Sequence, residues 1–273
     1  IDSAKLYIAL GQIFFLSVGY ATQVLLSKVI FNAYEFSNYQ FANFLTNILN
    51  LLIATSIATL LSKRISTTKD KFNQDKELVT SFLTMTILLI LQFILTMVIL
   101  TFFIAINKAS SNVSILVLLS TLQVFTYGLM NCTSMYVLGL RNLKRFFIQY
   151  SLYGIIKNVF IILSALLTLN VYVVVGSIII AEFVQFLINI ILIRPNLNVK
   201  AYKIIYKDVK KYISDIPDIL VSNLMIFGIT NLTVVLSYLG LTKFYNEFNI
   251  YTLVFPWGLI PFYLVSSVGN IYL

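Results

Sequence analysis

Residues 151–193 read SLYGIIKNVFIILSALLTLNVYVVVGSIIIAEFVQFLINIILI, and in those 43 positions Lys157 and Glu182 carry the charge. A turn near residue 170 divides the stretch into two apolar halves, each close to the about 20 residues with which an α-helix crosses a hydrocarbon core. Lys157 lies 13 residues before that turn and Glu182 lies 12 after it. At about 1.5 Å per residue both sit roughly 18 to 20 Å from the turn, near the bilayer midplane. A charge left alone at that depth is costly, so the two are expected to face one another or to share a hydrated cavity.

The same texture extends along the chain. Mean hydropathy is +0.92 and only 11% of the 273 residues are charged, far outside the range of a water-soluble domain. Apolar runs of spanning length occupy residues 6–27, 39–61, 78–106, 114–140, 147–169, 171–193, 216–240 and 250–273. The expected fold class is all-α, a polytopic transmembrane helix bundle of eight spans with almost nothing left over for a soluble domain. The first run is too long for a cleaved signal and lacks a small-residue cleavage pattern. Histidine is absent and Cys132 is the single cysteine. The first fact removes the usual general base and metal ligand; the second excludes a disulfide framework and a thiolate cluster. No catalytic residue, metal or cofactor is expected, and most membrane-embedded hydrolases and His-dependent acyltransferases are disfavoured.

Charge sets the topology. Apart from Lys157, 15 Lys and Arg fall at the N-terminus and in the even-numbered connections, whereas Lys28, Lys108 and Lys243 fall on the other side. By the positive-inside rule the N-terminus and the basic connections are cytoplasmic, in a multi-pass protein of the cell (cytoplasmic or inner) membrane. The net charge of +9 therefore reports orientation, and no nucleic-acid partner is expected. The longest basic segment, VKAYKIIYKDVKKYI at 199–213, places Tyr202, Ile205, Tyr206, Val209, Tyr212 and Ile213 on one helical stripe. Lys200, Lys203, Lys207, Lys210 and Lys211 lie mostly elsewhere, as in a helix resting on an anionic lipid leaflet. Ser214 and Asp215 then suit a helix cap and Pro217 a first turn. The chain is accordingly divided into a first six-helix transmembrane lobe at 1–193, a cytoplasmic amphipathic linker at 194–215, and the first hairpin of a second, truncated lobe at 216–273. EFSNYQF (35–41) and KFYNEFN (243–249) match at an offset of 208, which superposes the first two spans on the last two. A repeat of that period implies a longer protein of which this chain is a piece, and a piece that does not transport by itself.

The opening AKLYIALGQIFFLSVGYATQVLLSKVIFNAYEFSNYQFANFL (4–45) resembles the first hairpin of the polysaccharide and lipid-linked oligosaccharide flippases of the multidrug/oligosaccharidyl-lipid/polysaccharide exporter (MOP) superfamily. In that family a short external segment of the form acidic, aromatic, Gly, x, aromatic follows the first helix. Glu35, Phe36, Ser37, Asn38 and Tyr39 fill it here, with Ser37 in place of the usual glycine. LLSKRIS (60–66) resembles the basic exit of the second helix, residues 139–193 the fifth and sixth helices with the connection before them, and DIPDIL (215–220) the start of the second lobe. The resemblance implies a MATE/MOP-like lobe, one of two surrounding a central cavity that opens alternately inward and outward. It implies a non-enzymatic flippase that moves a polyprenyl-diphosphate-linked oligosaccharide or polysaccharide precursor, such as that of a lipopolysaccharide O-antigen, across the cytoplasmic membrane. The partners would be the lipid-linked glycan, membrane lipids and a coupling proton or sodium ion.

Polar residues recur at helical spacing: Gln12, Gly19 and Gln23; Asn43, Asn47 and Asn50; Gln123, Tyr127, Asn131 and Ser134; Glu182, Gln185 and Asn189; Asn223, Thr230 and Ser237. Each set shares one helical face. They fit either interhelical hydrogen bonds or a hydrated cavity for sugar hydroxyls. Among them Gln12, Gln23, Asn43, Asn47, Asn50, Asn223, Lys157 and Glu182 are the candidate substrate- or ion-binding residues. Two roles stay open for the charged pair. Either it fixes the register of the hairpin, or Glu182 takes up a proton or sodium ion while Lys157 meets an anionic headgroup. Asp218 suits a helix N-terminus, and Pro256 and Pro261 are expected to kink the last span. The alternatives are a multidrug or cation antiporter of the same superfamily, which calls for cavity carboxylates, and a membrane-embedded glycan polymerase or glycosyltransferase, which calls for a second external carboxylate beside Glu35. A purely structural membrane protein would need neither Lys157 nor the Asn43 face.

Overall fold

In a computed structural model of the protein, residues 14–15, 17–105, 111–195, 197, 202 and 206–240 are described, and their regular structure is helical throughout. Helix α1 covers 17–30, its last turn Leu26–Ile30 widened to π geometry. Then follow α2 (Ala33–Asn50), a second π turn (Leu51–Thr55), α3 (Ser56–Thr67), α4 (Lys71–Ala105), α5 (Ser111–Gly139), α6 (Leu143–Thr168), α7 (Val171–Ile193) and α8 (Tyr206–Gly240). Five stretches are long and apolar enough to cross a membrane: Tyr34–Thr67, Lys71–Phe102, Ser114–Gly139, Leu143–Thr168 and Val171–Ile193. They match the second to sixth runs expected from sequence. Residues 6–13 and 16 of the first run and all of the eighth, with Pro256 and Pro261, lie outside the described residues. On α4, Ile90, Leu91, Ile94, Leu95 and Val98 are exposed, an apolar surface suited to lipid tails.

Helix ends are set by short polar side chains. Asn32 accepts the Glu35 amide at 2.8 Å to start α2, Asp70 the Asn73 amide at 3.1 Å to start α4, and Asn170 the Tyr172 amide at 2.8 Å to start α7, each satisfying an amide that lacks an intrahelical acceptor. α5 ends with Arg141 in the left-handed region (φ 56°). There Asn142 N–H reaches Val137 O at 3.3 Å and Arg141 N–H reaches Leu138 O at 2.8 Å, the paired bonds of a Schellman turn.

Two local expectations are corrected. EFSNYQF is not a loop: with Asn32 as its cap the chain is helical again from Ala33, which leaves Phe31 and Asn32 to make the connection. Ser214 and Asp215 do not begin a helix either, because α8 runs unbroken from Tyr206 through Pro217 to Gly240. Nor is the apolar stripe of the linker all turned to lipid. Tyr202 and Tyr212 are buried by protein while Tyr206 and Ile213 remain exposed.

The chain forms two compact units. Of the described residues, one joins those up to Phe41 with Leu143–Ala181 and Met225–Gly240; the other joins those of Ala42–Asn142 with those of Glu182–Leu224. Within the second unit α5 packs against α3, α4 and the second π turn.

Candidate functional site

α7 carries Glu182, Gln185 and Asn189 at spacings of three and four, hence on one face, and all three are fully buried. Gln123 of α5 donates its Nε2 to Glu182 Oε1 at 3.1 Å and Thr126 donates its hydroxyl to Oε2 at 2.8 Å. Gln123 in turn accepts the Thr46 hydroxyl of α2 at 3.1 Å. Further along, Asn189 donates its Nδ2 to Thr133 Oγ1 at 2.9 Å and to Ser134 Oγ at 3.3 Å, while its Oδ1 accepts from Gln185 Nε2 at 2.8 Å. Near the end of α5, Tyr136 donates its hydroxyl to the buried Asp75 of α4 at 2.6 Å. From Gln123 to Tyr136 this polar seam follows α5 for about 20 Å. Buried polar groups are costly unless satisfied, and these bonds satisfy both Glu182 oxygens and the Asn189 amide between α5 and α7.

Lys157 occupies α6 of the first unit and is half-buried. Its Nζ lies 5.7 Å from the centre of the Tyr153 ring, within cation–π range. Phe15 stacks on Tyr153 at 5.8 Å and meets Tyr150 at 4.9 Å. Gly154 makes room for this contact: a Cβ there would lie 3.0 Å from Phe15 Cδ2. The lysine therefore stands at the edge of an aromatic cluster.

Of the other expected residues, Gln23 of α1 and Gln40 of α2 hydrogen-bond through their side-chain amides. Asn43 is half-buried, Asn47 exposed and Asn50 buried, with Asn50 Oδ1 unsatisfied among the described residues. Asn223 donates to Ser56 Oγ at 3.4 Å. Lys207, Lys210, Lys211 and Asp218 are exposed. Gln12, Lys200 and Lys203 lie outside the described residues.

Sequence reasoning did not single out Thr46, Thr126, Thr133, Asp75 or Tyr136. A threonine hydroxyl in a helix commonly returns to its own backbone, as Thr126 does to Gln123 O at 3.0 Å and Thr133 to Met130 O at 2.6 Å, so the sequence offers no sign of which ones also meet a neighbour. Arg64 enters the sequence reading as a topology charge and within LLSKRIS, not as a site residue. Its partners Glu77 and Asp215, at 3.3 and 2.8 Å, stand far apart in the chain.

By sequence the chain matches no family model and no curated protein. By structure it is similar to a MATE family multidrug resistance transporter of the MOP superfamily in an outward-facing conformation, at TM-score 0.68 and 15% identity over 97% of this chain and 62% of that one. It is also similar to a MOP superfamily transporter from Pyrococcus furiosus, at TM-score 0.66 and 15% identity, again over 97% and 62%. A MATE protein in complex with MaL6 matches at TM-score 0.67 and 14% identity over the same shares. The chain thus spans about three fifths of the length of these neighbours, 62% in each case. It is a multi-pass membrane protein with the fold of the MATE transporters of the MOP superfamily.

Proposed function

We propose that this chain belongs to a transporter that flips a polyprenyl-diphosphate-linked oligosaccharide or polysaccharide precursor across the cytoplasmic membrane by alternating access. The observation that carries the reading is the placing of charge and amide within the spans. Glu182 is fully buried and hydrogen-bonded inside the second unit, whereas Lys157, the basic residue at spanning depth, is partly accessible. A diphosphate entering a low-dielectric site needs such a cation. Asn47 adds to this. It is exposed in the Tyr34–Thr67 span, and an amide left in hydrocarbon costs about 4–8 kcal/mol on cyclohexane scales. A hydrated path along α2, where sugar hydroxyls could pair with Asn43 and Asn47, avoids that cost.

The Pyrococcus furiosus neighbour is described by a binding pocket of reversed polarity suggesting a different function, and pocket polarity is the property on which the two readings of this chain differ. Glu182, sequestered beside α5, suits a coupling proton or sodium ion better than a bulky organic cation. The multidrug reading is supported by the MATE neighbours and requires the opposite polarity.

Deleting the gene separates the two. If the glycan reading holds, lipid-linked glycan accumulates on the cytoplasmic leaflet and resistance to ethidium is unchanged. Loss of ethidium efflux with normal glycan export would favour the antiporter.

A further inference from the structure

We infer that Arg64 locks the first part of α8 onto the cytoplasmic ends of α3 and α4, and that α8 bends at Pro217, just past the lock, when the transporter changes state. The inference rests on the alternating-access reading above. Arg64 lies in the last turn of α3 with 15% of its side chain exposed. Nη1 is 3.3 Å from Glu77 Oε2 of α4 and Nη2 is 2.8 Å from Asp215 Oδ2 of α8. The flat face of the guanidinium covers the Tyr212 ring, with its carbon 3.9 Å from the ring centre. Tyr212, itself fully buried, donates its hydroxyl to the same Glu77 carboxylate at 2.7 Å. One side chain thus ties three helices by edge and face together, which a planar fork can do and an ammonium cannot. The seam continues one turn back, where Lys76 pairs with Asp208 at 3.3 Å and the Phe72 and Tyr202 rings meet at 4.9 Å.

The lock stops where the helix is weakest. Pro217 has no N–H to give the Ile213 carbonyl, and its ring crowds the preceding turn. Ile216 is buried, but Pro217, Asp218, Val221 and Ser222 are exposed. Beyond the proline, the hydrogen bond from α8 among the described side chains is that of Asn223 to Ser56, at 3.4 Å. A helix held firmly just ahead of a weak turn has a place to bend there.

Spin-label distances in the full-length protein in nanodiscs test both parts. One label pair, Lys71→Cys with Lys207→Cys, brackets the lock; the other, Lys71→Cys with Val221→Cys, reaches past the proline. All three positions are exposed and the native Cys132 is buried. On adding polyprenyl diphosphate, the first distance should stay narrow and fixed while the second shifts. Arg64→Ala, without any added lipid, should broaden the first distance, and Arg64→Lys should broaden it less. Pro217→Ala should suppress the shift of the second pair and slow transport while leaving the first pair narrow. A first distance that moves with the second, or that stays narrow in Arg64→Ala, would overturn the lock. A second distance that does not move, or that moves as far in Pro217→Ala, would overturn the hinge. A protein that shows the lock and the shift yet moves no lipid-linked glycan would count against the proposed cargo alone.

Discussion

Thr46 and Asn47 are adjacent and do opposite work. Thr46 is buried and gives its hydroxyl to Gln123, the residue that also holds Glu182; Asn47 is exposed. Thr46→Val should therefore weaken the fold, by about 0.5–1.5 kcal/mol for a hydrogen bond of this kind, while Asn47→Leu should leave the melting temperature alone and slow transport. Melting curves and flipping rates on the two purified variants check this, and the reverse pattern would remove Asn47 from the transport path. Glu182→Leu should be worse than either, because the Gln123 amide loses its acceptor in a buried site, at about 1–3 kcal/mol for a group left unsatisfied, while Thr126 keeps the Gln123 carbonyl at 3.0 Å. An unchanged melting temperature for Glu182→Leu would mean that the seam contributes little to the fold.

Close helix packing depends on two glycines of α5 that differ in what faces them. A Cβ at Gly139 would lie 2.7 Å from the Ser62 carbonyl oxygen and 2.8 Å from Ile65 Cβ, both near the α3 backbone and unable to yield without moving the helix. A Cβ at Gly128 would collide with the sulfur of Met85, the far end of a flexible side chain. Gly139→Ala should thus cost about 1–3 kcal/mol, as overpacking does, and Gly128→Ala clearly less; equal losses in melting temperature would contradict the packing described. α4 to α7 were legible in the sequence because unbroken apolar runs admit few other readings. The start of α2 was legible too, though misread: Asn32 followed three residues later by Glu35 has the form of an N-cap signature, yet the aromatic residues between the runs suggested a loop. The course of α8 was hidden by Pro217, whose rule for helix starts is sound but is overridden here by the contacts of Tyr212, Asp215 and Ile216. The candidate site was legible in part. Charge depth pointed to Lys157 and Glu182, but the partners of Glu182 depend on how α5 and α7 meet, which no local pattern specifies.

For the whole molecule, the ion pair of Lys76 with Asp208 puts the start of α4 and the linker on one side of the membrane, as the charge distribution requires. Cysteines replacing Lys71 and Lys207 should accordingly react with an impermeant thiol reagent only after the cells are opened, and one replacing Lys108 should react in intact cells; the reverse labelling would invert the topology. Burial of Tyr212, reinforced by the Glu77 carboxylate, holds its phenol well above the usual tyrosine range, so at neutral pH it stays protonated and continues to donate to Glu77 in the linker contact. The account as a whole depends on a cation at spanning depth that serves an anionic cargo. Its most direct test is the flipping of a fluorescent polyprenyl-diphosphate oligosaccharide by full-length protein in proteoliposomes. Lys157→Gln should abolish flipping, and Lys157→Arg should retain part of it because charge survives although geometry changes. Normal flipping by the double variant Lys157→Gln with Glu182→Gln would contradict the account, leaving both charges as parts of the scaffold.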